Sequence, residues 1–340
     1  MHVQIRPAVR PCHHPSRRLR VLSAVLAAAM LTAPAVAAAE RLRIAVPRTP
    51  VSLPLFVAAQ RGYFRDEGLD VQIDDCIGGL RCLRRLLDGQ AEFAATSEMP
   101  VVLHAFERGD VAILATIATS SDNLKLLART ASGVTRGEQL DGKNVGVIVN
   151  TAGQYMLETH LYNIGVDPRR VNMVPIQAED MLAALRSGRV DAVCVWEPYA
   201  WQALQSAEPV ALLLPFSGGY IETFNLVASR SRFGRDDALL EHLLRAIDRA
   251  ESAIQADPAA AQATLARHLG VDQRFVDSVW HGLAFRLSLE QSLITTMESE
   301  SRWAQREGHV AAGGSRPNVL TLIYPAPLKA IRPAAVGTGN

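Results

Sequence analysis

The chain has 340 residues, with 35 Lys and Arg against 34 Asp and Glu, a formal net charge of +1. Charge so evenly balanced, with no basic cluster in the body of the chain, excludes the footprint of a nucleic-acid binder. Apolar residues make up 49% and charged residues only 20%, and this length exceeds what one hydrophobic core usually serves, so two lobes are expected.

Residues 1–39 hold five Arg (Arg6, Arg10, Arg17, Arg18, Arg20), no Lys and no acid. The basic stretch ends at Arg20, an apolar run covers 21–31, and Ala33-Pro34-Ala35-Val36-Ala37-Ala38-Ala39 follows. Basic region, short apolar region and small-residue tail are the order of a cleavable signal peptide. The apolar run is shorter than the roughly 20 residues of a spanning helix. No Cys sits at the cleavage point, so a lipoprotein is not expected. Ser16-Arg17-Arg18-Leu19 is similar to a twin-arginine signal, but Arg20 stands where that signal prefers a large apolar residue, which favours the Sec route. Without the five leader Arg the mature chain has 30 basic and 34 acidic residues, net −4. The reading is a soluble periplasmic protein.

From Arg41 short apolar strands alternate with amphipathic helices, the pattern of βαβ units in mostly parallel sheets. Strands are expected at 42–46, 69–74, 92–96, 111–117, 124–128, 145–149, 171–176, 192–196, 210–214 and 224–229. From Asp236 the pattern turns helical: 236–255, 258–268, 273–282 and 289–306, punctuated by Asp257-Pro258 and Gly270. A Pro-containing tail follows from Gly313.

Two stretches echo each other. The first runs strand, loop, helix, Gly68-Leu69-Asp70, strand, helix, then Gly89-Gln90-Ala91-Glu92-Phe93-Ala94, ending in Ser97-Glu98. The second repeats that order through Gly165-Val166-Asp167 and Gly188-Arg189-Val190-Asp191-Ala192-Val193, ending in Trp196-Glu197. Gly89 and Gly188 each end a helix where positive φ is needed. The matching register places Glu92 on Asp191 and Glu98 on Glu197. In open α/β sheets ligands sit beyond the carboxyl ends of the strands. That rule selects loops 47–53, 76–81, 97–99, 150–154 and 196–199 as the lining of one cleft.

The run Pro54-Leu55-Phe56-Val57-Ala58-Ala59-Gln60-Arg61-Gly62-Tyr63-Phe64-Arg65-Asp66-Glu67-Gly68-Leu69-Asp70-Val71 resembles the opening signature of nitrate/sulfonate/taurine-type solute-binding proteins, a superfamily that includes binders of thiamine-pyrimidine precursors. Leu87-Asp88-Gly89-Gln90-Ala91-Glu92-Phe93-Ala94, the stretch 185–198 ending in Trp-Glu-Pro, and Ile323-Tyr324-Pro325-Ala326-Pro327-Leu328-Lys329 are similar too, in the family's order. The resemblance implies a type II periplasmic-binding fold: two α/β lobes, a ligand cleft and a two-strand hinge. The expected divisions are signal peptide 1–39, lobe one 40–123, lobe two 124–226, a mostly helical return to lobe one 227–330, and a tail 331–340. Strands 124–128 and 224–229 are the expected hinge strands. The resemblance also implies a small-molecule ligand, an ABC permease partner and a monomer.

Within the selected loops the expected ligand-binding residues are Arg48, Thr49, Ser52, Gly78, Gly79, Leu80, Arg81, Ser97, Glu98, Asn150, Thr151, Gly153, Trp196 and Glu197. The Gly78-Gly79 pair lets backbone N–H groups face a ligand at a helix start, and Thr151-Ala152-Gly153 offers a second such start. Arg48 and Arg81 are the only cations in these loops; each either forks onto an anion or serves as a solvated or lobe-bridging Arg. Trp196 either walls the pocket or packs under the next helix. Glu98 and Glu197 either face the ligand or accept N–H groups of the helices they precede. Cys76 and Cys82 flank the Gly pair; spacing leaves open a disulfide or two thiols, and an oxidising compartment favours the disulfide. Cys194, in mid-strand, reads as a small core residue.

The expected ligand is a small organic anion of the sulfonate, nitrate or carboxylate kind. The alternatives are a thiamine-pyrimidine-like or amine-bearing ligand, an enzyme on the same fold such as a cysteine-dependent desulfinase, and a periplasmic sensor subunit. No G-x-S-x-G, P-loop or G-x-G-x-x-G is present. His104, His160, His242, His268, His281 and His309 are scattered without metal-ligand spacing. No cofactor, metal or catalytic residue is therefore expected.

Overall fold

The computed structural model describes residues 1–4, 8, 41–216, 219–311 and 314–337. The signal peptide read from 1–39 and its cleavage point fall almost wholly outside the described residues, as does the end of the tail. Residues 40–340 form a single unit, built on two mixed sheets.

The first echo copy supplies β1 (Arg41–Pro47), α1 (Leu53–Gln60), α2 (Tyr63–Asp66), β2 (Asp70–Cys76), α3 (Gly78–Leu87) and β3 (Phe93–Ser97). The chain then forms α4 (Glu98–Glu107) and β4 (Val111–Ser120) and crosses to a second sheet at β5 (Leu124–Arg129). There the second copy follows: β6 (Asn144–Val147), α5 (Ala152–Asn163), β7 (Asn172–Pro175), α6 (Met181–Ser187) and β8 (Ala192–Trp196). α7 (Tyr199–Leu204) and β9 (Ala211–Leu213) end that layer, and the chain returns to the first sheet as β10 (Glu222–Ser229). The helical return contains α8 (Asp237–Ala256), α9 (Pro258–Leu269), α10 (Gln273–Trp280), the two-residue β11 (Leu283–Ala284), α11 (Gln291–Arg306) and α12 (Ala326–Ile331).

Strand order is β11-β4-β10-β3-β1-β2 in one sheet and β7-β6-β8-β5-β9 in the other. Each contains the same parallel trio from one echo copy, β2-β1-β3 and β7-β6-β8. Beside each trio lies an antiparallel strand that has just crossed from the other sheet, β10 and β5 respectively. The sheets are therefore mixed rather than mostly parallel, because a strand entering from the opposite layer runs against its neighbours. The ten expected strands all form, with ends shifted by a few residues; β11 is an addition.

The echo extends to side chains. Glu92 accepts the Arg43 N–H at 2.6 Å and Asp191 accepts the Asn144 N–H at 3.0 Å, so each acid fastens the start of its trio's central strand. Gly89 and Gly188 sit at φ +69° and +72°, left-handed values that end the preceding helix.

Period-two alternation gives the five-stranded sheet two buried faces: Leu126, Ala192 and Cys194 on one, Leu127, Val193 and Val195 on the other. The larger apolar cluster surrounds the six-stranded sheet, where Ile44, Phe56, Phe93, Ile113 and Leu226 are essentially inaccessible. α8 packs there through Leu240, Leu243, Leu244, Ile247 and Ile254, spaced at helical period. α11 links the layers: Trp303 joins the five-stranded layer's core and donates its indole N–H to Glu158 of α5 at 2.8 Å.

Candidate functional site

Helix starts from both layers converge. α3 begins at Gly78 after β2, α4 at Glu98 after β3, and α5 at Ala152 after β6. Their first residues, with the end of β8 and the two crossings, enclose a cavity of about 30 Å³ lined by Thr49, Gly78, Gly79, Leu80, Ser97, Asn123, Thr151, Gly153, Trp196 and Glu222. Each helix start leaves backbone N–H groups without intrahelical partners and adds partial positive charge. The residues that precede α3, α4 and α5, Ile77, Ser97 and Thr151, give these groups no side-chain cap.

The glycines are sterically required. A Cβ on Gly78, at φ +71°, would lie 2.7 Å from Cζ2 of Trp196, and one on Gly79 would lie 2.5 Å from Oγ1 of Thr96. Behind them a disulfide joins Cys76 and Cys82 with Cα atoms 5.7 Å apart, tying the end of β2 to the first turn of α3. Of the two states that the spacing leaves open, the structure has the bridge.

Three buried polar atoms around this cavity have no partner within the protein: Oγ1 of Thr96, Oδ1 of Asn123 and Nε1 of Trp196. Buried polar groups are nearly always bonded, so such a group of orphans marks a place for something else to bond. Asn123 donates Nδ2–H to Glu222 at 2.7 Å. Glu222 is pushed up to about 8 by burial and then by the charge of Glu98, so at neutral pH it is an acid with a proton to donate.

Glu98 lies beneath the cavity, not on its wall, and is fully buried. It accepts from the Tyr220 hydroxyl, from Thr223 N–H at 3.1 Å and from Thr223 O–H at 2.8 Å. Burial raises it in spite of these bonds. Glu300 of α11 faces it and, through burial and then the charge of Glu98, is raised far above the usual carboxylate range. Burial thus raises both carboxyls of the pair. Glu197 is buried as well, pushed up to about 7 by burial, and accepts the Trp201 N–H of α7 at 2.9 Å, which is the helix-capping role.

The remaining expected residues lie as follows. Ser52 is fully buried and donates to the Pro47 carbonyl at 2.7 Å, one step behind the cavity. Asn150, left-handed at φ +62°, lines an outer crevice. Arg48 turns away to the His268 carbonyl at the end of α9, 2.6 Å distant. Arg81 spans the two layers, its Nη2 2.8 Å from Oε1 of Gln177 and 2.8 Å from Oε1 of Glu179. Neither Arg lines the inner cavity, and no Lys, Arg or His among the described residues does. Sequence reasoning missed Thr96, Asn123 and Glu222. The last two sit on the crossings between sheets, which a rule about parallel strand ends does not reach.

The family profile described as NMT1/THI5 like matches residues 49–261, well over half of the chain. The chain belongs to the NMT1/THI5-like family. The taurine-binding periplasmic protein of Escherichia coli K12 is 22% identical over 161 residues, 47% of this chain and 50% of that protein. The chain matches only about half the length of the curated relatives. Among solved structures, the alkanesulfonate-binding protein SsuA from Xanthomonas axonopodis pv. citri bound to MOPS superimposes with a TM-score of 0.73 at 17% identity, covering 85% of this chain and 100% of that one. A DszB mutant in complex with biphenyl-2-sulfinic acid does so with a TM-score of 0.62 at 16% identity, covering 85% and 98%. At those identities the likeness is one of fold, and the fold is that of periplasmic solute-binding proteins.

Proposed function

We propose that the protein is the exported, periplasmic binding component of an ABC importer, capturing a small organic anion between two lobes. Lobe one comprises 40–123 and 227–330, lobe two 124–226, and the protein works as a monomer that presents its closed form to a membrane permease. The observation that carries this reading is the meeting of three helix starts and the unpartnered Trp196 N–H at one cavity. Such starts hold anions through backbone N–H groups and helix dipoles without a cationic side chain. The walls leave about 30 Å³, well below the roughly 300 Å³ at the low end of small-molecule pockets, so a sulfonate or carboxylate is accommodated only with the lobes further apart.

Taurine binding in one relative and alkanesulfonate binding in one structural neighbour support the anion reading. A binding role is favoured over cysteine-dependent catalysis by the state of the thiols. Cys76 and Cys82 are joined, and Cys194 is buried with its thiol pushed up to about 12, too high to supply a thiolate nucleophile.

Glu222 supports a second reading, an amine-bearing ligand, because an ammonium beside this carboxyl on the cavity wall would draw it into the ionised form and pair with it. A thermal-shift screen with ethanesulfonate, butanesulfonate, taurine, nitrate, acetate and a hydroxymethylpyrimidine separates the two. A bound compound at a hundred times its Kd stabilises the folded state by about 2.7 kcal/mol. Stabilisation by the simple sulfonates supports the anion reading. Stabilisation by taurine or the pyrimidine, with none by ethanesulfonate, replaces it with the second.

A further inference from the structure

Trp196 touches three separate cavities. It forms part of the wall of the inner one, of an outer crevice of about 90 Å³, and of a third of about 520 Å³. The inner and outer cavities share only Gly78, Leu80, Thr151 and Trp196 in their linings, and Trp196 has the largest of those side chains. Its ring lies close to the backbone of Gly78 across the gap between the layers, where any Cβ would clash with it. On its other side it meets Tyr199 edge-on, ring centres 6.4 Å apart. Its indole N–H has no partner, so no hydrogen bond pins the ring, and the third cavity beside Tyr199 gives it room to swing.

The two spaces it divides are lined by different groups. The inner cavity presents helix starts and orphan polar atoms. The outer crevice has Ile77, Leu80, Ile148, Val149 and Ile176 in its walls, together with the polar Arg81, Arg84, Asn150, Gln177 and Glu179. Ile77 and Val149, from opposite layers, both line the crevice and stand 37% and 39% exposed, and Arg81 and Glu179 bridge the same two layers. An inner chamber of helix starts, opening past one ring into a crevice with Ile148, Val149 and Ile176 along one wall and Arg81, Arg84 and Glu179 at its rim, matches a ligand with an anionic head and a hydrocarbon tail.

We infer that Trp196 is a movable partition between a head subsite and a tail subsite, and the residue that sorts ligands by the size of the tail. This rests on the anion reading above for the head but not for the crevice. With the ring swung aside the two cavities join, the tail lies against Ile148, Val149 and Ile176, and the freed N–H turns to the head group. Inorganic anions, having no tail, gain nothing from the movement.

The test is calorimetric binding of methanesulfonate, butanesulfonate, octanesulfonate and benzenesulfonate to the wild type, Trp196→Phe and Trp196→Ala. In Trp196→Ala the preference for octanesulfonate over methanesulfonate rises at least about tenfold, the worth of about two buried methylene groups. Trp196→Phe keeps the wall and loses the donor, so all four ligands weaken alike and the preference stays within about twofold. An unchanged tail preference in Trp196→Ala overturns the partition. As a probe that needs no anionic head, n-butanol is added to protein labelled with 5-fluorotryptophan, the Trp196 fluorine resonance being assigned by its loss in Trp196→Phe. If no sulfonate binds yet butanol shifts that resonance, the anion reading falls and the partition stands. If butanol and every sulfonate leave the resonance in place, the partition falls.

Discussion

Arg81 of the six-stranded layer and Glu179 of the five-stranded layer are joined at 2.8 Å across the mouth of the cleft, and Gln177 shares the same guanidinium nitrogen. Both charged side chains are 37% exposed, so the pair is worth about 0.2–1 kcal/mol rather than the several of a buried one. It is a contact that exists only while the layers are together. Arg81→Ala and Glu179→Gln should therefore each weaken ligand binding by less than about tenfold, and the double variant should do no worse than either. Calorimetry on all three proteins checks this. An Arg that held the anion directly would cost about 1.5–3 kcal/mol when removed, and Glu179→Gln would then strengthen binding by freeing it.

The Cys76–Cys82 disulfide closes a loop with a sequence separation of 6. Chain entropy alone assigns such a loop about 2 kcal/mol of stability. Replacing both with Ser should lower the urea midpoint accordingly with m unchanged, and should loosen the start of α3 on which Gly78 and Gly79 sit. Thiol labelling of denatured, unreduced mature protein should modify Cys194 and spare the pair; labelling of all three would remove the bridge from the account.

Export is the proposal that the acid-free leader, with its five Arg and the Ala-rich tail before Glu40, supports. Mass spectrometry of periplasmic protein should find a mature N-terminus near Ala38 or Glu40. Full-length protein confined to the cytoplasm would contradict it.

The fold was legible because its signals are local. Glu92 and Asp191, Gly89 and Gly188 do matching work in the two layers, and a repeated helix–Gly–acid–strand order is visible without any tertiary information. The helix starts at Gly78 and Ala152 were legible for the same reason. The aim of the arginines was not. Arg48 is held by a carbonyl 220 residues away and Arg81 by side chains 96 and 98 residues away, partners that only the assembled layers bring into reach. Asn123 and Glu222 were hidden differently. They lie where the chain crosses between sheets, and β10 runs antiparallel there, so the strand-end rule for parallel sheets points elsewhere. Glu197 stood open between ligand and cap, and its bond to Trp201 N–H gives the cap.

Glu222 makes stability depend on pH in a definite direction. The groups that face it are Asn123 at the first crossing, Cys194 on β8, Glu98 on α4, Tyr220 before β10 and Glu300 on α11, and none of these is a cation. Its folded value of about 8 lies above the model-peptide value of 4.5, so the folded protein holds a proton that the unfolded chain gives up. Its contribution is fully present below pH 4.5 and is lost as pH rises towards 8, an effect on the order of 3 kcal/mol by pH 7. Glu222→Gln keeps the shape and the acceptor for Asn123 Nδ2–H while removing the ionisation. Urea unfolding at pH 5 and pH 8 should show the variant losing less stability between the two than the wild type, and exceeding it at pH 8. Some slope should persist, since Glu98 and Glu300 are raised in the same sense. Equal slopes in the two proteins would mean that Glu222 is ionised in the folded state, and the cavity wall would then carry a full negative charge, which favours an ammonium-bearing ligand over a simple anion.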